Sequence, residues 1–315
     1  MRKESRKWIS LTTFFLCTAL FTGIAAAAKP FDRLVIFGDS LTDPGNAFVI
    51  TRQISHRPYE LIPDAPYARG GLHFSNGETW VEQFAKRLRV GRSAGPAMQV
   101  RGVFTNYAVG GARARAGASF DLSSQALLAL EDFGGALPAD ALYVVHIGGN
   151  DLRDALEALA SDPAASAQII NAALTAIANN IVMLASSGAT EFMVPNAPNL
   201  ALVPAVRLQG PLAQAGAAFL SVQFNNALAA TLANLEALLP IAIHRLDVFA
   251  LIGEAVAMPA AAGFTEVELP CITPGTIVKA ECDRPDDFLF WDGIHPTRAG
   301  HALLAERARA VVTAP

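Results

Sequence analysis

Charged side chains are scarce in this sequence, at 17% of positions, and they show no basic excess: 24 Lys and Arg face 28 Asp and Glu, a net charge of −4. A general nucleic-acid binder gathers positive charge on one face, so that class is excluded. Only three of the 315 residues are cysteine, which excludes a disulfide-dense miniprotein. The 24 glycines and 19 prolines follow no collagen-like period, and 52% hydrophobic residues are too many for a disordered chain. His-Glu-x-x-His, a phosphate loop and a dinucleotide glycine fingerprint are all missing, so no metal or organic cofactor is expected. What is present is a core-forming composition. A chain near 300 residues buries roughly three quarters of its unfolded surface and needs neither a metal nor many crosslinks to be stable.

The N-terminus carries its own signal. Arg2, Lys3, Arg6 and Lys7 precede an apolar run from about Ile9 to Ile24, and Ala26-Ala27-Ala28 offers small residues to a signal peptidase just before Lys29. This is the layout of a secretory signal peptide over residues 1–28. The run ends in alanines rather than a stop-transfer cluster, which argues against an anchor. Leu16 stands before Cys17, where a lipid-modified signal needs a small residue, so lipidation is not expected. Cleavage leaves one domain, residues 29–315, with 20 basic and 27 acidic side chains. Later in the chain no run of 18 uncharged apolar residues is flanked as a membrane span. A soluble, secreted or periplasmic protein without a stable membrane anchor is expected. Cys271 and Cys282 are then the two cysteines left, and outside the reducing cytosol a disulfide between them is the default.

Short β-branched or aromatic runs recur at Arg33–Phe37, Val103–Val109, Ala141–Ile147, Glu191–Val194 and Ile241–Leu246. Helical apolar spacing marks Thr79–Leu88, Gln125–Phe133, about Ala165–Ala185, about Ala217–Leu239 and Arg298–Val312. In the last of these, Leu303, Leu304, Ala308, Val311 and Val312 form a stripe opposite Arg298, Glu306, Arg307 and Arg309, as a helix laid on a sheet requires. Strands alternating with helices predict a parallel sheet with crossover helices, in a single α/β/α domain. The segment Asp43–Asn76, with four prolines and Gly70-Gly71, lacks periodicity and reads as a long insertion lining a binding site.

The chemistry gathers where strands end. The first strand runs into Gly38-Asp39-Ser40-Leu41, which delivers a serine at the carboxyl edge where open α/β sheets bind ligands. Taken alone, such a turn is as well explained by helix capping. A hydroxyl needs a base, and Trp291-Asp292-Gly293-Ile294-His295-Pro296 supplies one: in a turn, Asp292 lies beside the imidazole three residues on and fixes its tautomer. Among the six histidines, His146 and His244 fall in predicted strands, His301 on the last helix, and His56 and His73 in the insertion. Only His295 combines a loop position with an orienting aspartate. Asn106-Tyr107-Ala108-Val109-Gly110-Gly111 and Gly148-Gly149-Asn150-Asp151 follow the next two strands and offer backbone and side-chain donors for an oxyanion. Gly91-Arg92-Ser93-Ala94-Gly95 fits a Gly-x-Ser-x-Gly elbow but has a helical segment before it and Pro96 after it, the wrong context for that motif.

Gly-Asp-Ser-Leu, a glycine block, Gly-x-Asn-Asp and Asp-x-x-His occur here in the order found in the SGNH, or GDSL-type, esterase and lipase family, which the sequence resembles from Gly38 to His295. The stretches Gly38–Asn46 and His73–Trp80 are similar to the branch containing secreted bacterial phospholipase and haemolysin relatives and plant GDSL esterases. The resemblance implies a flavodoxin-like three-layer α/β/α sandwich with about five parallel strands. It implies Ser40 as nucleophile and oxyanion donor, Asn150 as side-chain donor, His295 as base and Asp292 as its orienter. Gly111 is the expected second backbone donor, with Gly110 as the alternative register. The activity implied is carboxylic-ester hydrolysis through an acyl-enzyme, on lipid-like or small acyl esters. Polysaccharide O-deacetylation and phospholipase or acyltransferase chemistry are alternatives on the same residues; a non-catalytic binding module would have lost Ser40 or His295. A free-standing hydrolase is expected, unlike the autotransporter members with their C-terminal barrel.

Overall fold

The computed structural model describes residues 30–117 and 119–313, so the signal peptide expected over residues 1–28, with Cys17, lies outside the described residues. In β1 (Arg33–Gly38), Leu34 and Ile36 join one core while Val35 and Phe37 join another, and all four are fully buried. A strand apolar on both faces needs a layer on each side. β1 pairs in parallel with β2 (Ala141–His146), which pairs with β3 (Glu191–Pro195), which pairs with β4 (Ala242–Leu246). Tyr143, Val145, Phe192 and Val194 continue the core of Val35 and Phe37; Leu142, Val144 and Met193 continue that of Leu34 and Ile36.

Along the chain, α1 (Asn46–Thr51), α2 (Trp80–Arg87) and α3 (Leu122–Asp132) lie between β1 and β2; α4 (Gly149–Leu159) and α5 (Pro163–Ser186) lead to β3. Then α6 (Pro204–Arg207) and α7 (Pro211–Leu238) lead to β4, followed by α8 (Val248–Ala257), α9 (Pro259–Ala262) and a two-stranded parallel ribbon of β5 (Glu266–Pro270) and β6 (Phe288–Phe290) before α10 (Arg298–Thr313). Helices α3, α4, α5 and α7 cover one face of the sheet; α2, α8 and α10 cover the other. By length and composition α5 is apolar enough to cross a membrane. Here its Ile170, Leu174, Ile177, Ile181 and Leu184 stripe is buried in the core. Sharp starts come from side chains that take orphan amides: Asp121 accepts from Ser124 N–H, Asp162 from Ala165 N–H, and Thr79 and Glu82 form a capping box.

The stretch Val103–Val109, expected as a strand, is a bent edge instead. It meets β1 through Ile36 N–H to Thr105 O, Tyr107 N–H to Ile36 O and Val109 N–H to Gly38 O, at 2.9, 2.8 and 3.2 Å. Asn106 turns its side chain back onto the N–H of Ala108 at 3.0 Å and breaks the regular ladder. Counting this edge, the sheet runs 2-1-3-4-5 in chain order, the doubly wound arrangement whose switch point flanks β1. Five helices among the described residues were not legible from spacing: α1, α6 and α9 are only four to six residues long, and α4 and α8 are longer. α4 begins at Gly148 in a left-handed conformation inside what reads as a glycine turn, and α8 is apolar nearly all round.

Cys271 and Cys282 are joined, and the segment they brace lies against the strand that leads to Asp292: Cys271 N–H meets Phe290 O at 3.0 Å and Ile272 N–H meets Trp291 O at 2.8 Å. Closing so short a loop contributes about 3 kcal/mol on chain-entropy grounds. Replacing both cysteines by serine should lower Tm by roughly 5–10 °C. An unchanged melting curve would mean that the ribbon holds the segment without the bond.

Two buried histidines and two buried aspartates set the acid response of the fold. Burial pushes His146 from 6.5 down to about 4; burial, aided by His295, His73 and His146 nearby, pushes His301 from 6.5 down to about 3. Burial also pushes Asp39 and Asp43 from 3.8 up to about 6. The histidines stabilise the fold fully above pH 6.5, and that contribution is lost as pH falls toward 4 and 3, because the unfolded chain binds protons that the folded one refuses. The aspartates act oppositely between pH 6 and 3.8, where the folded chain holds the extra protons. The two pairs therefore offset one another near pH 5, and His301 dominates below 4. His301→Leu should lose less Tm between pH 6.5 and 3.5 than the parent chain; an equal loss in both would remove His301 from the acid transition.

Candidate active site

Ser40 is presented by a turn that only glycine can open. A Cβ on Gly38 would stand 2.1 Å from Thr42 Oγ1 and 2.6 Å from His146 O, so any side chain there would push the turn off the end of β1. Gln125 of α3 closes the same peptide from behind, accepting Gly38 N–H at 2.9 Å and donating to Gly38 O at 2.8 Å. Asp39 Oδ1 accepts Leu41 N–H at 3.0 Å, and Asp39 O accepts Thr42 N–H, also at 3.0 Å. With both flanks fixed, Ser40 projects at the carboxyl edge of the sheet, beside the topological switch point.

The turn after β6 is built around one carboxylate. Trp291 N–H donates to His295 O at 2.8 Å, reversing the chain over four residues. Asp292 Oδ1 accepts the backbone N–H groups of Ile294 and His295 at 3.0 and 2.8 Å, and the carboxylate faces His295 Nδ1 at 2.7 Å through Oδ2. An acceptor-only carboxylate requires the proton on Nδ1, which leaves the Nε2 lone pair free. That nitrogen lies 2.9 Å from Ser40 Oγ. Asp292 and His295 are 1% and 2% exposed and Ser40 is 8% exposed, so the chain of three groups is shielded from bulk water. The sequence-predicted Ser40, Asp292 and His295 are thus brought together.

The donor side of the site is equally specific. Gly110 N–H is committed to Asp43 Oδ2 at 2.8 Å, while the N–H groups of Ser40 and Gly111 have no acceptor among the described residues. Gly110 also has no room for a side chain, since its Cβ would fall 2.1 Å from the Phe74 ring. Asn150 Nδ2 donates one hydrogen to Ala112 O at 2.9 Å, and its amide lines the same cavity as Ser40 and His295, with a second N–H to offer. The glycine block is locked to α4 by charge: Arg113 pairs with Asp154 at 2.7 Å, and Arg115 pairs with both Asp154 and the fully buried Asp151. Arg113 and Arg115 hold the Asp154 carboxyl below its usual range, against the effect of its burial.

Two residues of the long insertion reach the site without any local sign in the sequence. Tyr67 OH donates to Asp292 Oδ2 at 2.9 Å, and the Phe74 ring packs 5.4 Å from the His295 ring. Their partners lie more than 200 positions away, which spacing does not register. His73 also lies apart from the chemistry: its Nδ1 meets Gly70 O at 2.7 Å and its Nε2 lies 2.9 Å from Glu82 Oε2. Burial opposes its charge, but Glu82, Gly70 O and Asp43 together raise its pKa. Ser93, in the Gly-x-Ser-x-Gly segment, sits in a short 3-10 turn whose carbonyl accepts Thr105 N–H, remote from His295. Beside Ser40 opens a cavity of about 140 Å3 whose apolar lining includes Ile62, Leu200, Val203, Val206 and Ile294.

A family model described as GDSL-like Lipase/Acylhydrolase matches residues 34–308. A protein of the trpE-trpG intergenic region of Pseudomonas putida is 28% identical, the match covering 100% of this chain and 54% of that protein. The chain thus spans about half the length of that relative. A GDSL esterase/lipase of Arabidopsis thaliana is 27% identical, with 92% of this chain and 90% of the plant protein covered. Among solved structures, an acetylxylan esterase from Geobacillus stearothermophilus superposes with a TM-score of 0.49 at 15% identity, covering 91% of this chain and 98% of that one. With the family model spanning nearly the whole described domain, the chain belongs to the GDSL-like lipase/acylhydrolase family of ester hydrolases.

Proposed function

We propose that this chain is an exported serine esterase that cleaves carboxylic esters of lipid-like or small acyl groups through an acyl-enzyme on Ser40. One observation carries the reading: Ser40 Oγ lies 2.9 Å from His295 Nε2, and the opposite ring nitrogen lies 2.7 Å from Asp292. In the first half-reaction the Ser40 oxygen attacks the ester carbonyl as His295 takes its proton. The imidazolium that forms is stabilised by Asp292. Negative charge developing on the carbonyl oxygen meets the N–H groups of Ser40 and Gly111 and the amide of Asn150, donors that are fixed before the substrate arrives. His295 then hands its proton to the leaving alcohol. In the second half-reaction water takes the alcohol's place, His295 removes its proton, and the carboxylic acid leaves as Ser40 recovers its hydrogen.

The apolar wall of the cavity supports an acyl chain lying along Leu200, Val203 and Val206, away from the polar donors. Gly111 is favoured over Gly110 as the second backbone donor because Asp43 already occupies the Gly110 N–H. The Cys271–Cys282 bond supports export from the reducing cytosol.

Ser40→Ala should abolish turnover of a chromogenic ester series graded in acyl length while leaving Tm within a degree or two; near-parental rates would sink the assignment. Asn150→Ala should lower kcat by roughly 10²–10³, about 2.7–4 kcal/mol, with KM little changed. A raised KM at constant kcat would show instead that Asn150 binds ground state and transition state alike.

A further inference from the structure

Asp292 has more donors than a relay of three residues accounts for. Its Oδ1 is met by two backbone N–H groups and its Oδ2 by His295, which leaves one lone pair of Oδ2 aimed into the protein. A buried carboxylate with an unmet lone pair is costly. Tyr67 fills that place at 2.9 Å. Its hydroxyl is a dependable donor: burial, and then the neighbouring Asp292 charge, push its pKa far above the ordinary value.

The ring that carries this hydroxyl is held on every side. It packs edge-on against Trp291 at 5.7 Å and against Tyr59 at 5.4 Å. Its backbone forms a small antiparallel bridge, with Tyr67 N–H on His73 O at 2.8 Å. His73 in turn is tied to Glu82 of α2, whose Oε2 also accepts the N–H and hydroxyl of Thr79. The insertion is therefore anchored to the helical layer at one end and delivers a single hydroxyl to the carboxylate at the other.

Resting on the reading of Ser40, His295 and Asp292 given above, we propose that Tyr67 is a positioning residue of the hydrolytic site, a fourth member of the relay that holds the Asp292 carboxylate in plane with His295. The hydroxyl does two things. It stops the carboxylate from rotating when His295 becomes charged, and its partial positive charge offsets part of the negative charge that Oδ2 presents to Nδ1, which moderates the proton affinity of the imidazole. The other titratable groups around the pair are Asp39, His301, His146 and His73 on the imidazole side, and Tyr59 and Glu281 beyond the Tyr67 ring. All of them remain when the hydroxyl alone is removed.

Tyr67→Phe keeps the ring and deletes the donor. Its kcat on a chromogenic ester should fall roughly 10- to 100-fold, which is about 1.4–2.7 kcal/mol at 1.36 kcal/mol per decade, with KM within about twofold. The acid limb of kcat/KM should move to higher pH. Tyr59→Phe removes a hydroxyl of the same cluster that bonds Glu281 rather than Asp292, and should keep the parental kcat. In an Asp292→Asn background the Tyr67→Phe change should cost little further, as expected when one group acts through the other. Parental kcat and an unmoved acid limb in Tyr67→Phe would overturn the proposal. So would equal kcat losses in Tyr59→Phe and Tyr67→Phe that track their melting temperatures, or full additivity with Asp292→Asn. Retained turnover in Ser40→Ala would be a different failure, removing the serine mechanism itself whatever Tyr67 does.

Discussion

A carboxylate taken out of water must have its lone pairs met, and the arrangement around Asp292 follows from that requirement. Its side chain is fully buried, and its oxygens collect two backbone amides, one imidazole and one phenol. Each donor comes from a different constraint. The amides require the tight turn at residues 292–295, the imidazole requires that Pro296 and α10 follow at once, and the phenol requires the long insertion to fold back over the β5–β6 ribbon. The carboxylate is the one group that all three features meet.

A second buried carboxylate does for the other half of the site what Asp292 does for the first. Asp43 accepts from Gly45, Asn46 and Ala47 at the start of α1 and from Gly110 across the groove. Burial drives its pKa up to about 6 while those four amides pull the other way. By taking the Gly110 N–H it sets the register of the glycine block, so that the next N–H, that of Gly111, is the one left over. Phe74 closes the arrangement by occupying the space a Gly110 side chain would need and packing at a tilt against His295. The insertion and the glycine block are thus two sides of one wall. Its rigidity comes from ion pairs and amides rather than from regular structure.

The sheet, its helices and the residues at the strand ends were legible because they obey local rules. The unbroken apolar run Leu34–Phe37 marks a strand buried on both faces, and strand ends in a parallel sheet share one edge, so Ser40, Gly111 and Asn150 fall together without any contact being known. Asp292 and His295 are three residues apart and needed only a turn. Tyr67 and Phe74 obey no local rule. They sit in a proline- and glycine-rich segment with no period, and what gives them meaning is a partner more than 200 residues on. The same reasoning explains why α4 was missed: its first turn is a functional glycine loop, and the residues that look like a turn are already helix.

On the proposed reading of the site, the mixed lining of the cavity bears on how an ester lies. Ser40, Asn150 and His295 line the cavity together with the apolar side chains of Ile62, Leu200, Val203 and Val206. A carbonyl oxygen turned toward the apolar wall would lose its water without gaining a donor, at a cost of a few kcal/mol, whereas a methylene turned there loses nothing. The acyl chain and the carbonyl oxygen are therefore sorted by solvation before any bond is made. Sorting of this kind fits a site whose Asp292, Asp43 and Asp154 carboxylates are each already met by backbone amides, a phenol or an arginine.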